Sequence, residues 1–264
     1  MNLMSCSAKI TRDDKMRIIN RDLCEGLNFF LLFRILFALL LGVTSIRACN
    51  AQGNSWEGFY FGANGGTGWG KAHWLFPKLN YYTVEEGQSF STHPDGELIG
   101  LQVGLNHQIC SWVMGLEAAF EWTALTHNEV GAVTPLYPGD LFETKFNKIL
   151  QIAAKAGYTY QDWLVHVRAG YTNSKITIGA LSANPGPGVS ATQHHRKGGF
   201  LLGFGLDYMI FPKVSLGLQY DFNHFSDKEF NSTTTGNVVG LPFNVNLQSI
   251  YFNTITARLN FFIP

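Results

Sequence analysis

The sequence predicts an all-β protein: an eight-stranded antiparallel transmembrane β-barrel with short periplasmic turns and four long extracellular loops. Three observations carry that prediction. Apolar residues alternate with small or polar ones through eight segments, which is the two-residue period of a strand. The apolar face is continuous and aromatic, and the opposite face is glycine, hydroxyl, amide or charge, so the usual soluble arrangement is inverted. Apolar-out and polar-in is stable where lipid solvates the outside and closure pairs every backbone group. Finally, the connections alternate between short and long, as they do between the two ends of an outer-membrane barrel.

The segment before the first strand reads as an address. Arg17, Arg21 and Arg34 precede an apolar run from Ile35 to Val43, and Cys49-Asn50-Ala51 resembles a cleavage site before Gln52. Residues 1–51 are therefore expected to be a signal peptide, with Met16 as the natural start because the stretch before it is long and polar. Two other readings compete. A membrane helix over Leu27–Val43 would carry Arg34 near its middle, at roughly 2.5–3.5 kcal/mol. Lipidation at Cys49 would have to tolerate Arg47 in its recognition site. Residues 52–264 form the barrel domain.

The first strand is expected over Phe59–Trp69, with Phe59, Phe61, Ala63, Thr67 and Trp69 outward and Gly62, Asn64, Gly66 and Gly68 inward. A loop over Gly70–Gly96 leads to the second, Leu98–Gln108, which presents Ile99, Leu101, Val103 and Leu105 to lipid. After a tight turn at Cys110-Ser111 comes the third, Trp112–Trp122. Its terminal tryptophans lie roughly 26 Å apart along the membrane normal at a rise of ~3.4 Å and a tilt of ~40°, which matches an apolar band about 25 Å tall. A loop over Thr123–Thr144 precedes the fourth strand, Phe146–Tyr158, and a turn at Tyr160-Gln161-Asp162 precedes the fifth, Trp163–Ile176. The third loop covers Thr177–Lys197.

Gly199–Phe225 gives the clearest hairpin. Phe200, Leu202, Phe204, Leu206 and Tyr208 share one face, Gly203, Gly205 and Asp207 the other. Beyond the Ile210–Lys213 turn, Val214, Leu216, Leu218, Tyr220 and Phe222 oppose Ser215, Gly217, Gln219, Asp221 and Asn223. The last loop is Ser226–Gln248, and the closing strand Tyr251–Ile263 faces Ile255, Ala257, Leu259, Phe261 and Ile263 outward.

Charge excludes one class of partner. The chain has 19 basic and 19 acidic residues, and removal of the address leaves 12 basic against 15 acidic, a net of −3. Nucleic acid is not expected as a partner. Of the four cysteines, only Cys110 remains in the mature chain, so no intrachain disulfide can form.

Trp56-Glu57-Gly58-Phe59-Tyr60-Phe61-Gly62-Ala63-Asn64-Gly65-Gly66 resembles the opening strand of the outer-membrane barrels grouped with opacity-type surface antigens and the OmpA-like barrel. Gln102–Asn106, Trp112–Ala118 and Gly203–Tyr208 are similar to later strands of that family. The resemblance implies surface exposure in a bacterial outer membrane, assembly by the barrel-assembly machinery and contact with lipopolysaccharide, but no single activity. Three departures stand out, one of them Arg258, which occupies a position where the closing-strand signal often has Gly. The chain ends Phe261-Phe262-Ile263-Pro264 where such barrels end on an aromatic residue, and Ala153 and Lys155 occupy positions where the family carries two inward arginines.

Inward parity assembles a candidate lumen charge network: Glu117, Glu121, Lys155, His166, Arg168, Asp207, Asp221 and Arg258. An eight-stranded barrel is just wide enough for side chains to fill it, so this set reads first as a structural ion-pair lattice and second as a narrow ion path. His224 and Ser226 face lipid by parity and resemble the His-x-Ser element of outer-membrane lipid A deacylases. The plainer reading is an ordinary strand end. His73, His93, His127, His194 and His195 match no metal-ligand spacing, so neither metal nor cofactor is expected. The expected role is structural, or surface interaction with a host or surface ligand through the loops, without enzymatic activity.

Overall fold

The structure is a computed structural model that describes residues 55–78, 86–130, 141–181, 190–233, 240 and 242–263. The expected signal peptide, Asn184–Gly188 of the third loop and the His127 side chain lie outside the described residues.

The strands are β1 (Gly58–Leu75), β2 (Ser89–Thr92), β3 (Asp95–Ile109), β4 (Trp112–Val130), β5 (Leu141–Tyr160), β6 (Trp163–Leu181), β7 (Ser190–Phe211), β8 (Val214–Phe225), β9 (Lys228–Thr233) and β10 (Pro242–Ile263). Eight of them close an antiparallel ring in the order β1-β3-β4-β5-β6-β7-β8-β10, and β10 pairs back onto β1 from Phe59↔Ile263 to Leu75↔Asn246. Closure removes the two free edges that hydrocarbon could not solvate. The short strands β2 and β9 add to β1 and β10 only at the end where the long connections lie.

The three short connections are Cys110-Ser111, Gln161-Asp162 and Pro212-Lys213. Each holds one non-glycine residue at positive φ: Cys110 at 56°, Gln161 at 55° and Lys213 at 75°. Pro212 fixes its own φ near −65°, so Pro212-Lys213 has the φ signs of a type II turn, in which the second central residue is left-handed.

Alternation runs as the sequence indicates through the membrane-spanning part. Ile99, Leu116, Val167, Phe204 and Leu218 are each 60% exposed or more in the isolated chain, and the residues between them are buried. Lipid covers such a surface.

The strands are longer than the sequence indicates. β7 and β10 each span 22 residues, roughly 57 Å along the axis at the same rise and tilt, about twice the apolar band. Much of what reads as loop at 70–75, 123–130, 177–181, 190–197 and 242–248 is therefore strand that continues beyond the membrane. Water lies outside the sheet there, and the polarity returns to the soluble arrangement. In β5 the outward apolar residues Leu150 and Ile152 are even-numbered, yet even-numbered Phe142 and Phe146 are fully buried. A register shift between Phe146 and Ile149 changes the phase. β10 does the same. Ile255–Ile263 face outward at odd positions, and odd-numbered Val245 and Leu247 are buried. The change falls at a shift in the β1–β10 register between Lys71 and His73, opposite Ser249 with φ 50°. A bulge of this kind moves a strand's whole side-chain set to the other face.

Candidate functional site

Three layers of buried side chains cross the inside of the barrel. At the periplasmic end Trp56, Tyr60, Val113, Leu164, Met209 and Phe262 form an apolar plug. Trp56 meets Phe262 edge-on at 5.8 Å, Tyr60 lies 5.2 Å from Phe262, and the Trp56 amide donates to Gln108 Oε1 at 2.7 Å.

The middle layer holds the charges. Glu117 is its hub: Arg168 and Arg258 donate to separate carboxylate oxygens, Tyr60 donates its hydroxyl, and Lys155 Nζ lies 3.8 Å away. Lys155 also donates to Tyr60 Oη at 2.9 Å. Arg168 grips both oxygens of Asp221, one of them through Nε at 2.7 Å, and donates to Gln151 Oε1 at 2.7 Å. Arg258 donates to Gln219 Oε1 at 2.8 Å, and Gln219 donates to Asp221 Oδ1 at 3.0 Å. This two-oxygen grip is what a planar guanidinium can offer and an ammonium cannot.

A chain of amides lies beside the charges. Asn64 donates to Gln102 Oε1 at 2.7 Å, Gln102 to Asn260 Oδ1 at 2.6 Å, and Asn260 to Ser215 Oγ at 3.2 Å. Glycines make room for these side chains: a Cβ on Gly100 would stand 2.8 Å from Glu121 Cγ.

Two members stand apart. His166 Nε2 is 3.0 Å from Asp207 Oδ2, but the approach lies off the hydrogen-bond direction and both ring nitrogens lack a bond. Glu121 is buried, and among the described residues it makes no ion pair and its Oε2 has no hydrogen-bond partner.

The third layer lies beyond the membrane. Trp74, Phe76, Phe142, Phe146, Phe225, Phe252 and their aliphatic neighbours form one continuous apolar cluster, with Phe90 of β2 packed against it. Phe142 sits 4.9 Å from Phe90 and 5.6 Å from Trp74.

His224 and Ser226 both lie outside the barrel, where they share a shallow groove with Tyr171, Gly198, Gly199 and Phe200. The His224 ring stacks on Phe200 at 5.1 Å, and no hydrogen bond joins it to Ser226. The Ser226 carbonyl accepts from Lys197 Nζ at 2.8 Å. The loop histidines are dispersed: His73 pairs with Ser91, His194 with Thr177 and His195 with Gln193. Among the described residues, no three His, Cys, Asp or Glu side chains are placed to hold a metal ion.

Sequence reasoning passed over two sets of residues. Tyr60 belongs to the charge layer, and its inward parity between Phe59 and Phe61 was the available signal. Lys145, Lys148, Lys175 and Arg196 gather in one groove on the outer wall. Arg196 reads as loop in the sequence, and only the β6–β7 register sets it opposite Lys175.

A closed antiparallel ring with lipid-facing apolar residues and a charged interior defines a transmembrane β-barrel. Residues 36–252 match the family model described as the outer membrane protein beta-barrel domain. The chain belongs to that family, and its setting is the bacterial outer membrane.

Among solved structures it is similar to the outer membrane protease OmpT of Escherichia coli, at 10% identity and a TM-score of 0.51 over 83% of this chain and 100% of that one. It is also similar to OprG of Pseudomonas aeruginosa, at 11% identity and a TM-score of 0.48 over 81% and 99%. Neisserial surface protein A matches at 14% identity and 0.36 over 80% and 100%. At 10% identity the likeness to OmpT concerns the fold alone. No curated protein sequence matches.

Proposed function

We propose that the protein is a non-enzymatic structural and surface-interaction barrel, and that its extended outer end meets a host or surface ligand. The observation that carries this reading is the filled interior. An apolar plug, an ion-paired layer and an aromatic cluster follow one another along the axis. A conducting path would have to break buried ion pairs, each of which costs several kcal/mol to separate. The charged set Glu117, Lys155, Arg168, Asp221 and Arg258, with Glu121, His166 and Asp207 beside it, acts as a lattice that fixes the barrel's shape. The test is conductance in planar bilayers. The expected trace is flat, and a steady open conductance returns the reading to a narrow ion channel.

A second reading rests on His224 and Ser226, which line one groove on the lipid side. A hydrolytic serine needs a base within hydrogen-bond reach, and this pair lacks that bond. Mass spectrometry of lipid A from cells with and without the protein decides between them. An unchanged acylation pattern is expected, and loss of an acyl chain would establish a deacylase.

Export through a cleaved signal peptide ending at Ala51, from a start at Met16, completes the proposal. Delivery to the barrel-assembly machinery would use the outward Leu259 and Phe261 of the closing strand.

A further inference from the structure

Two patches of opposite charge stand on the outer wall. Lys148 of β5, Lys175 of β6 and Arg196 of β7 are exposed and line one groove, with Glu143 as its single carboxylate. Asp95 and Glu97 are exposed two residues apart on the same face of β3. Among the described residues none of these five exposed charges is in an ion pair. The register sets Lys175 directly opposite Arg196. Like charges that face each other across a ladder destabilise it, so the cationic patch gains from carboxylates brought against it from outside.

The two patches lie at the same height on the barrel. A path of register partners that leaves β4 at Trp112 for Tyr158 of β5 and goes once around the ring returns from Ile99 of β3 to Trp122. One circuit therefore climbs ten residues, from Trp112 to Trp122. Each step from strand to strand then climbs about 3 Å at a rise of ~3.4 Å and a tilt of ~40°. Relative to Trp122, Glu97 and Asp95 stand about 2 and 7 Å further out, and Lys148, Lys175 and Arg196 about 3, 7 and 10 Å. Copies of one barrel in one membrane share orientation and depth. The carboxylates of one copy therefore meet the cations of the next whenever those walls face each other. Below the charges both walls are apolar, with Ile99 and Leu101 on one and Leu150 and Ile152 on the other, so side-by-side contact traps no polar group in hydrocarbon.

We infer that the barrel associates with further copies of itself in the plane of the membrane, with Asp95 and Glu97 of one copy against Lys148, Lys175 and Arg196 of the next. β3 and β6 are three of eight steps apart in the ring, about 135° around it. Two copies cannot engage both patches of each other at once, so the contact is head-to-tail and repeats into rows. Such association needs no host ligand and so goes beyond the surface-interaction reading.

The test is energy transfer between mature barrels labelled with donor or acceptor on Cys110, the one cysteine of residues 52–264, in dilute phosphatidylcholine vesicles. Transfer should exceed the random-mixing level at least threefold. Salt at about 1 M, where the screening length is about 3 Å, should remove most of that excess. Two charge reversals localise the contact: Asp95→Lys with Glu97→Lys, and Lys148→Glu with Lys175→Glu and Arg196→Glu. Each reversed barrel alone should fall to the random level, and an equal mixture of the two should regain transfer, because each then offers the other an opposite charge. Heat-modifiable gel mobility reports folding. If a reversal fails to fold, Asp95→Asn with Glu97→Gln and Lys175→Gln with Arg196→Gln take its place, and each should lower the excess at least twofold. Random-level transfer in the unsubstituted barrel, transfer that the substitutions leave unchanged, or a mixture of folded reversals that stays at the random level would overturn the inference.

Discussion

Glu117 and Glu121 sit four residues apart on the inner face of β4, both buried, and should respond very differently to the same substitution. Glu117→Gln keeps the volume and one acceptor but removes the charge that Arg168, Arg258 and Lys155 share. Arg168 keeps Asp221, whereas Arg258 is left with Gln219 as its remaining bonded side chain. Removing one member of a buried ion pair typically costs about 3–5 kcal/mol, because the cations left behind stay charged in a dry interior. Glu117→Gln should therefore lower the unfolding free energy by about 3–5 kcal/mol. Glu121→Gln breaks no ion pair and acts on a carboxyl with one oxygen unpartnered, so a change within about 1 kcal/mol is expected. Urea unfolding of barrels refolded into lipid vesicles, followed by tryptophan emission and gel mobility, measures both. Equal destabilisation would refute the ion-pair account of the lumen and point to packing alone.

Other outcomes follow from single contacts. Gly66→Ala would drive a Cβ into the Ile255 carbonyl oxygen, with Thr256 Cα 2.8 Å away, across the β1–β10 closure, so slower barrel closure and a loss of about 1–3 kcal/mol are expected in refolding assays. Lys213→Gly should relieve the positive φ of its turn and raise stability by about 0.5–1 kcal/mol in the same urea titration. Phe142→Ala opens a cavity among Trp74, Phe76 and Phe90 at a cost of about 3–5 kcal/mol. Because that cluster lies beyond the membrane, limited proteolysis should cut the outer end while the membrane-embedded ring keeps its heat-modifiable mobility.

The membrane-spanning ring was legible because one rule governs it. Leu116, Val167 and Phe204 face lipid, and the residues beside them face the lumen, with period two from girdle to girdle. The lumen charges followed from the same parity. Parity counting fails where the solvent changes. Once the strands leave the bilayer, apolar side chains belong inside, so Phe142 and Phe146 of β5 and Val245 and Leu247 of β10 are core, although Phe142, Val245 and Leu247 read as loop and Phe146 opens a strand whose even-numbered residues face lipid. The shifts in register that carry out this change depend on neighbouring strands, and a single sequence does not display its neighbours. For the same reason the Lys175–Arg196 pair is invisible until β6 and β7 are set in register.

The barrel depends most heavily on lipid contact along its outer wall. Spin labels at positions 101, 116, 167, 204 and 218, each an outward apolar residue, can be measured in bilayers for collision with oxygen, which partitions into hydrocarbon, and with a water-soluble nickel complex. High oxygen and low nickel accessibility at all five positions is the predicted result. Nickel access equal to that of a label on an exposed turn such as 161–162 would place this face in water and contradict the central claim.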